Sequence, residues 1–467
     1  MDMLDKVTNV DTPEVTDKLY SAFLRGLFLT SLKAVDPLNL VPPHLPSVPK
    51  GRTVVIGAGK ASARMALAVE RNWTADLSGL VVTRYGHEED CSQIEVVQAA
   101  HPVPDEAGNE VAKRMLNLVS NLTEDDLVIC LISGGGSALL SLPIDGITVE
   151  DKRQLNRDLL KSGASISEMN CVRRHLSAVK GGRLALACYP APVVTLVISD
   201  VPGDDPSVVA SGPTFPDWST SEQAAQILEK YKINVSPNVM AALFNETTRA
   251  PKPDDKGLAR NRTMVIGTAM DALRGAAQAA DRAGVLPLVL GGAIEGEAST
   301  VAREHADMVR EIAAKDSVKR PYVILSGGET TVTVKGGGRG GRNVEFLLAL
   351  AIELDGMPGV YALAADTDGI DGTEAIAGAI AEPDTLRRAS ELGKDASTFL
   401  GENDAYSFFA RLGDTVFTGP TKTNVNDFRA ILITDTNADD KAGRQILDSL
   451  GEHRGLSDNA EHPRRRT

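Results

Sequence analysis

The sequence predicts an α/β protein of two domains, the larger N-terminal one a Rossmann-like, mostly parallel sheet flanked by helices and the smaller C-terminal one mixed α/β. Three observations carry this reading. The 467 residues suffice for two or three domains of ordinary size. Short apolar runs alternate with helical patterns, as parallel strands buried on both faces and their crossover helices do. Glycine, at 42 residues, clusters directly after several of those runs, where open α/β sheets bind ligands.

Residues 13–35 predict an amphipathic helix, with Leu19, Phe23, Leu27 and Leu32 at helical spacing, broken by the proline-rich stretch Pro42 to Pro49. Strands are expected at Thr53–Ile56, Gly79–Thr83, Ile94–Gln98, Asp126–Ile132 and Pro192–Ile198. Between Phe215 and Arg262 the composition turns polar, and the run from Pro251 to Lys256 marks a connection. A second series of strands follows at Thr263–Gly267, Val285–Leu290, Tyr322–Ser326 and Val360–Ala364, with antiparallel additions at Thr330–Val334 and Thr415–Phe417. After about Thr436 the chain is polar and ends in three arginines. The expected domains are therefore 1–245 and 246–436, followed by a loose tail, 437–467, with the active site in the cleft between the two domains.

Composition excludes several functions. A net charge of -14 opposes the positive face that a phosphate backbone requires, and 4% aromatic residues supply no stacking platform, so no nucleic-acid partner is expected. The four cysteines form no CxxC pair, which argues against a zinc site or a disulfide framework and for a reducing compartment. Met1 to Val10 carry no secretory apolar core, and no apolar run approaches the roughly 20 residues of a membrane span. A cytoplasmic location with no membrane partner is expected, and a homodimer stands open beside a monomer.

Six glycine- or acid-rich stretches carry the chemistry. In the first, Val54-Val55-Ile56 runs into Gly57-Ala58-Gly59-Lys60 and then a helix. A dinucleotide fingerprint wants glycine or alanine where Ser62 stands and an acidic residue after the next strand, which here ends Thr83-Arg84. A P-loop needs four residues between its glycines. What is left is a glycine turn that places one cation, Lys60, beside an anion; a solvated lysine on a tight turn is the plainer alternative. The second, Ser133-Gly134-Gly135-Gly136-Ser137, lets several backbone amides converge on one oxyanion. The third is the densest basic stretch of an acidic chain. It contains Arg173, Arg174 and His175, with Lys180-Gly181-Gly182-Arg183 beyond, and suits recognition of carboxylate or phosphate unless it is merely a basic helix face.

In the fourth, Asp200 stands at the C-terminal end of an apolar strand, a costly place for a carboxylate unless it is paired, hydrated or bound to metal. It can act as a base or hold Mg²⁺, which favours one or two carboxylates together with water and substrate phosphates. The fifth is Ser326-Gly327-Gly328-Glu329 followed by Lys335-Gly336-Gly337-Gly338-Arg339-Gly340-Gly341-Arg342-Asn343, five glycines and three cations within eight positions. Polyphosphate recognition explains it economically, through glycine amides, the point charge of Lys335 and bidentate contacts from Arg339 or Arg342. The sixth is Asp366-Thr367-Asp368-Gly369-Ile370-Asp371; its spacing fails the EF-hand rule, and it reads as a magnesium or ribose site or as a capped turn.

Taken in order, GAGKASA, HPVPD (His101–Asp105), SGGGSAL, VRRHLSAVKGG, ISDVPGD, ASGPT, SGGETTV, GGGRGGRN, ADTDGIDG and TNVND (Thr423–Asp427) resemble the MOFRL-type glycerate 2-kinase family over about Leu19 to Ile433. The resemblance implies two α/β domains around a cleft, with ATP and Mg²⁺ used to phosphorylate the 2-hydroxyl of D-glycerate to 2-phosphoglycerate. It implies Lys60, Asp200 and Arg342 as catalytic residues, with Ser133–Ser137 and Arg173–His175 toward the substrate. Gly57, Gly59, Gly327, Gly328, Glu329, Lys335, Gly337, Gly338, Arg339 and Asn343 would then face the nucleotide, and Asp200, Asp366 and Asp368 the metal. Lys422 stands where that family usually has glycine before Thr-Asn. Some relatives carry the name hydroxypyruvate reductase, so an NADPH-dependent reductase, with Arg84 at a 2′-phosphate, is the second reading and a non-catalytic metabolite sensor the third.

Overall fold

The computed structural model describes residues 13–245, 249–315 and 321–434. It contains two compact units: one comprises Val35–Thr268 and Lys422–Val425, the other the described residues up to Ala34, Ala269–Thr421 and those from Asn426 onward.

The first unit is built on six parallel strands, β1 (Thr53–Ala58), β2 (Leu77–Arg84), β3 (Ile94–Ala99), β4 (Leu127–Ser133), β5 (Val193–Ile198) and β6 (Arg262–Gly267), in the order β3-β2-β1-β4-β5-β6. This is the doubly wound arrangement, in which the strand order reverses between β1 and β4 and leaves a crevice at their carboxyl ends. β1, β4 and β5 are buried along their whole length, as their uninterrupted apolar sequences require. One core packs Val54, Ile56, Val128, Cys130 and Val193 against Met115 and Leu184.

The second unit holds β7 (Leu286–Glu297), β8 (Tyr322–Thr331), β9 (Val360–Asp366), β10 (Gly378–Ala381), β11 (Thr415–Val416) and β12 (Asp427–Ile433), in the order β11-β10-β9-β12-β8-β7. Only β7 and β8 run parallel; the other four pairings are antiparallel. Helices Pro13–Ala34 and Ala269–Arg282 cover one face, where Phe23, Leu27 and Phe28 meet Leu273, Leu363 and Phe428. Helices Ala298–Ala313 and Arg342–Leu354 cover the other.

The mixed two-domain α/β class expected from the sequence is the one observed. Several details differ. β6, expected in the second series, pairs with β5 in the first sheet, so that unit extends to Thr268 instead of ending at 245. The first helix packs with the C-terminal unit, because its apolar stripe lies on the second sheet. Thr330–Val334 is no separate strand: β8 runs continuously to Thr331. The expected tail, 437–467, lies outside the described residues.

His305 lies inside the second unit, its ring bonded to the Val301 carbonyl and the Ser326 hydroxyl. Burial pushes its pKa down to about 4, so the fold holds it neutral. The unfolded chain takes up this proton near pH 6.5; stability present above that pH is lost as pH falls toward 4. Acidification from pH 7 to pH 5 should cost about 2 kcal/mol through this residue, and His305→Gln should flatten the corresponding fall in thermal midpoint.

Candidate functional site

β1 and β4 lie side by side where the strand order of the first sheet reverses. Gly59, at the end of β1, has a φ of 143°, and a Cβ there would lie 2.1 Å from Ser133 Oγ, so the close approach of the two strand ends demands glycine. The Lys60 amide donates to the Gly134 carbonyl at 2.8 Å and the Ala61 amide to Ser133 Oγ at 2.9 Å. Ser62 Oγ donates to the carbonyls of Gly59 and Val82, which gives the residue that breaks the dinucleotide fingerprint a structural use.

Four side chains surround the next two glycines. A Cβ on Gly134 would lie 1.9 Å from Asp200 Oδ2 and 2.4 Å from Asn424 Nδ2; a Cβ on Gly135 would lie 3.3 Å from Lys60 Cγ and 3.2 Å from His101 Nε2. Asn424 Nδ2 donates to Asp200 Oδ2 at 3.0 Å. Asp200 is half-buried, two residues past the end of β5. No backbone carbonyl among the described residues accepts from the amides of Gly135, Gly136 or Ser137. The structure thus brings Lys60 and Asp200 together around a glycine run, a cation and a carboxylate beside amides available to an anion. The chemistry this permits is proton abstraction next to stabilisation of negative charge.

His101 and Asn424 escaped the residue-by-residue reading, although each sits in a stretch that carried the family resemblance, HPVPD and TNVND. Lys422, at the unusual glycine position, has a φ of 61°, the left-handed region that favours glycine, and its ammonium pairs with Glu89 at 3.3 Å.

The expected carboxylate receivers are engaged elsewhere. Arg173 donates to Asn156 Oδ1, and Arg174 pairs with Asp217 at 3.0 Å. His175 is buried and bonded to Ser219; burial, partly opposed by Asp217, pushes its pKa down to about 4. Arg174 and His175 hold the helix Ile166–His175 to the segment around Asp217, and Arg173 ties it to the helix Val149–Lys161.

In the second unit Arg342 is gripped by three carboxylates, Asp427 at 2.6 Å, Asp366 at 2.9 Å and Glu329 at 3.2 Å. Burial opposes its charge, but the carboxylates outweigh burial and hold its pKa well above the ordinary value. Asp427, fully buried, also receives Arg429, the Thr330 amide and Asn343 Nδ2. Its pKa stays below the usual value because Arg342 and Arg429 overcome the burial that would raise it. Asp371, also fully buried, accepts from the amides of Asn343 and Val344 at the start of the helix Arg342–Leu354.

Much of the expected nucleotide set has a structural occupation. Gly57 lies inside β1, where a Cβ would meet the Leu131 carbonyl at 2.4 Å. Gly327 and Gly328 are strand residues of β8, not a loop after it, and a Cβ on Gly328 would lie 2.2 Å from the Ile294 carbonyl. The basic glycine loop is docked on its own unit: the amides of Lys335 and Gly336 donate to Asn403, that of Gly338 to the Glu402 carbonyl and that of Arg339 to Asp404. The Arg339 guanidinium pairs with Glu374 and lies over the Tyr406 ring. Asn343 is fully buried. Lys335, Gly337 and Gly338 are exposed.

Of the three carboxylates expected at magnesium, two are engaged within the second unit. Asp366 spends one oxygen on Arg342 and the other on the Asp368 amide, and buried Asp368 accepts from the Ile370 amide. Asp200 fits, as one half-buried carboxylate at a strand end beside anion donors. Among the described residues no cluster of three or more His, Cys, Asp or Glu side chains is arranged to hold a metal. No helix among them is long and apolar enough to cross a membrane.

Comparisons with known proteins cover most of the chain. Residues 23–244 match a family described as a domain of unknown function, and residues 322–427 match the MOFRL family. A D-glycerate 2-kinase of Thermotoga maritima is 42% identical over 400 residues, covering 85% of this chain and 94% of that one. A protein of Agrobacterium vitis provisionally named a hydroxypyruvate reductase is 50% identical over 418 residues, covering 88% and 94%. The crystal structure of a glycerate kinase from Thermotoga maritima superposes with a TM-score of 0.81 at 40% identity, covering 90% of this chain and all of that one.

Asp427→Ala takes from the fully buried Arg429 its ion-pair partner and from Arg342 one of its three carboxylates. Loss of one partner from such a network costs roughly 3–5 kcal/mol, so the thermal midpoint of this variant should fall by many degrees.

Proposed function

The chain belongs to the glycerate 2-kinase family that carries the MOFRL domain, and from that premise we propose that it transfers the γ-phosphoryl group of ATP to the 2-hydroxyl of D-glycerate, giving 2-phosphoglycerate and ADP. The single observation that carries the reading is the convergence of Lys60 and Asp200 on Gly134 and Gly135. Phosphoryl transfer asks a protein mainly for alignment and for neutralisation of charge. That convergence supplies a carboxylate, a cation and main-chain donors in one place.

In this reading Asp200 orients the substrate hydroxyl and accepts its proton as the oxygen attacks. The bond from Asn424 to Asp200 Oδ2 restrains the carboxylate beside Gly134. Lys60, its stem held over Gly135, places its ammonium beside the group in transfer. The amides of Gly135, Gly136 and Ser137 offer donors to an anionic oxygen. Arg342 keeps the role that the resemblance implies, a permanent positive charge toward phosphate, and its carboxylate cage supports this by excluding a neutral form. Asp200 is the residue whose donor chemistry suits Mg²⁺, an ion that neutralises charge on the nucleotide phosphates when bound.

The competing reductase reading takes support from the Agrobacterium vitis relative's name. Ser62, fastened to the Gly59 and Val82 carbonyls, weighs against it, because a dinucleotide turn needs a smaller residue there. Purified protein incubated with ATP, Mg²⁺ and D-glycerate should yield 2-phosphoglycerate, detected through enolase. Loss of NADPH absorbance with hydroxypyruvate and no ATP, without kinase turnover, decides for the reductase instead. Lys60→Ala should lower kcat at least about 100-fold, and Asp200→Asn by about 10²–10⁴-fold. Near-normal turnover in either variant removes that residue from the chemistry.

A further inference from the structure

The basic stretch singled out in the sequence contains a cation that the proposed mechanism does not use. Lys180 is 3% exposed, and its ammonium donates to the Ser137 carbonyl at 2.8 Å and reaches the Ala210 carbonyl at 3.5 Å. Ser137 closes the glycine-rich loop. Ala210 opens a turn in which three successive residues, Ala210, Ser211 and Gly212, have φ of 52°, 62° and 58°. A run of left-handed residues that includes alanine and serine persists only where its surroundings enforce it. Enforcement comes from Gly181 and Gly182, whose amides donate to the carbonyls of Ser211 and Gly212, and from the Lys180 ammonium beside them. The turn in turn presses on the loop: a Cβ on Gly136 would lie 2.6 Å from that of Ala210, and Ser137 Oγ lies 2.7 Å from Ser211 Oγ.

A buried ammonium is a poor choice for stability alone, since an apolar side chain of similar volume would be less costly. Burial lowers the Lys180 pKa, and the charges that act on it, those of Lys152 and Arg173, are both positive and lower it further. Lys152 is itself buried, donating to the Leu142 carbonyl. Lys180 therefore acts on the loop as a hydrogen-bond donor to the Ser137 and Ala210 carbonyls and not as a charge.

The chemistry of a 2-hydroxy acid says which anion. Its carboxylate is bonded to the carbon that bears the reacting hydroxyl. If that hydroxyl meets Asp200 beside Gly134, the carboxylate falls a few ångströms along the same loop, toward Gly136 and Ser137. We infer that the part-exposed Ser137 hydroxyl, with the adjoining loop amides, is the carboxylate subsite, that the fully buried Ser211 hydroxyl behind it orients Ser137, and that Lys180 is its positioning residue, tying the Ser137 carbonyl to the left-handed turn. The assignment rests on the kinase reading above and moves carboxylate recognition away from Arg173, Arg174 and His175, which hold internal partners.

The test compares Lys180→Met, Lys180→Arg and Ser211→Ala with the parent protein by steady-state kinetics and by calorimetric titration with D-glycerate. Lys180→Met should raise the KM for glycerate at least tenfold, change the KM for ATP less than twofold and reduce kcat less than it raises the glycerate KM. Lys180→Arg should recover part of the loss. Ser211→Ala should raise the glycerate KM several-fold and add little when combined with Lys180→Met. A folded Lys180→Met protein with unchanged glycerate KM, or with both KM values raised alike, overturns the inference. Should Lys180→Met fail to fold, Ser211→Ala decides by the same criterion. A parent protein that makes no 2-phosphoglycerate defeats the kinase reading only; the Lys180 assignment then stands or falls on whether Lys180→Met and Ser211→Ala weaken calorimetric glycerate binding tenfold and several-fold.

Discussion

The site in the first unit depends on one steric condition: the ends of β1 and β4 approach more closely than side chains permit. Gly59 occupies space that a Cβ would contest with Ser133, and the Lys60 amide bonds across to the Gly134 carbonyl. Because of that contact, Lys60 emerges over Gly135 and Asp200 arrives over Gly134 from the neighbouring strand. Everything proposed about proton transfer follows from this geometry. Parallel strands of matched length deliver their carboxyl ends to one rim, and glycine removes the bulk that would hold the loops apart.

The second unit is organised on a different principle, buried charge paired with buried charge. Asp427 begins β12 with no exposed surface and gathers Arg342, Arg429, Asn343 and the Thr330 amide. Such a network contributes little net stability over apolar packing but a good deal of definition, since each member has a single satisfactory place. Arg342 is consequently a fixed cation and not a searching one.

Those two principles explain what the sequence made legible. The strands β1 to β5 of the first sheet include near-continuous apolar runs, and their type could be read. β12 was missed because Asp427 and Arg429 interrupt its apolar run with opposite charges that cancel only once folded, and β10 because four small residues carry no periodicity. The sheet to which β6 belongs is a matter of non-local pairing that local pattern does not encode. Lys60 and Asp200 could be singled out because each follows a strand and bears a charge. Asn424 and His101 were not, as neither residue type stands out in its surroundings. The Lys335–Arg342 loop shows how composition and backbone pairing can point different ways. Its glycines and cations match a phosphate cradle in composition, yet four of its amides are already satisfied by Asn403, Glu402 and Asp404.

Lys422 shows what happens when a backbone tolerance is exchanged for an electrostatic anchor. Glycine would adopt its φ of 61° without strain but would give the unfolded chain more freedom to lose. Lysine accepts the strain and ties its segment to Glu89, which also receives Arg64. The segment that carries Asn424 is therefore moored to a carboxylate shared by two cations. Its hold on the Asp200 carboxylate becomes a property of the local ionic atmosphere as well as of the fold, so concentrated electrolyte, by screening that mooring, reaches the reaction centre without touching it.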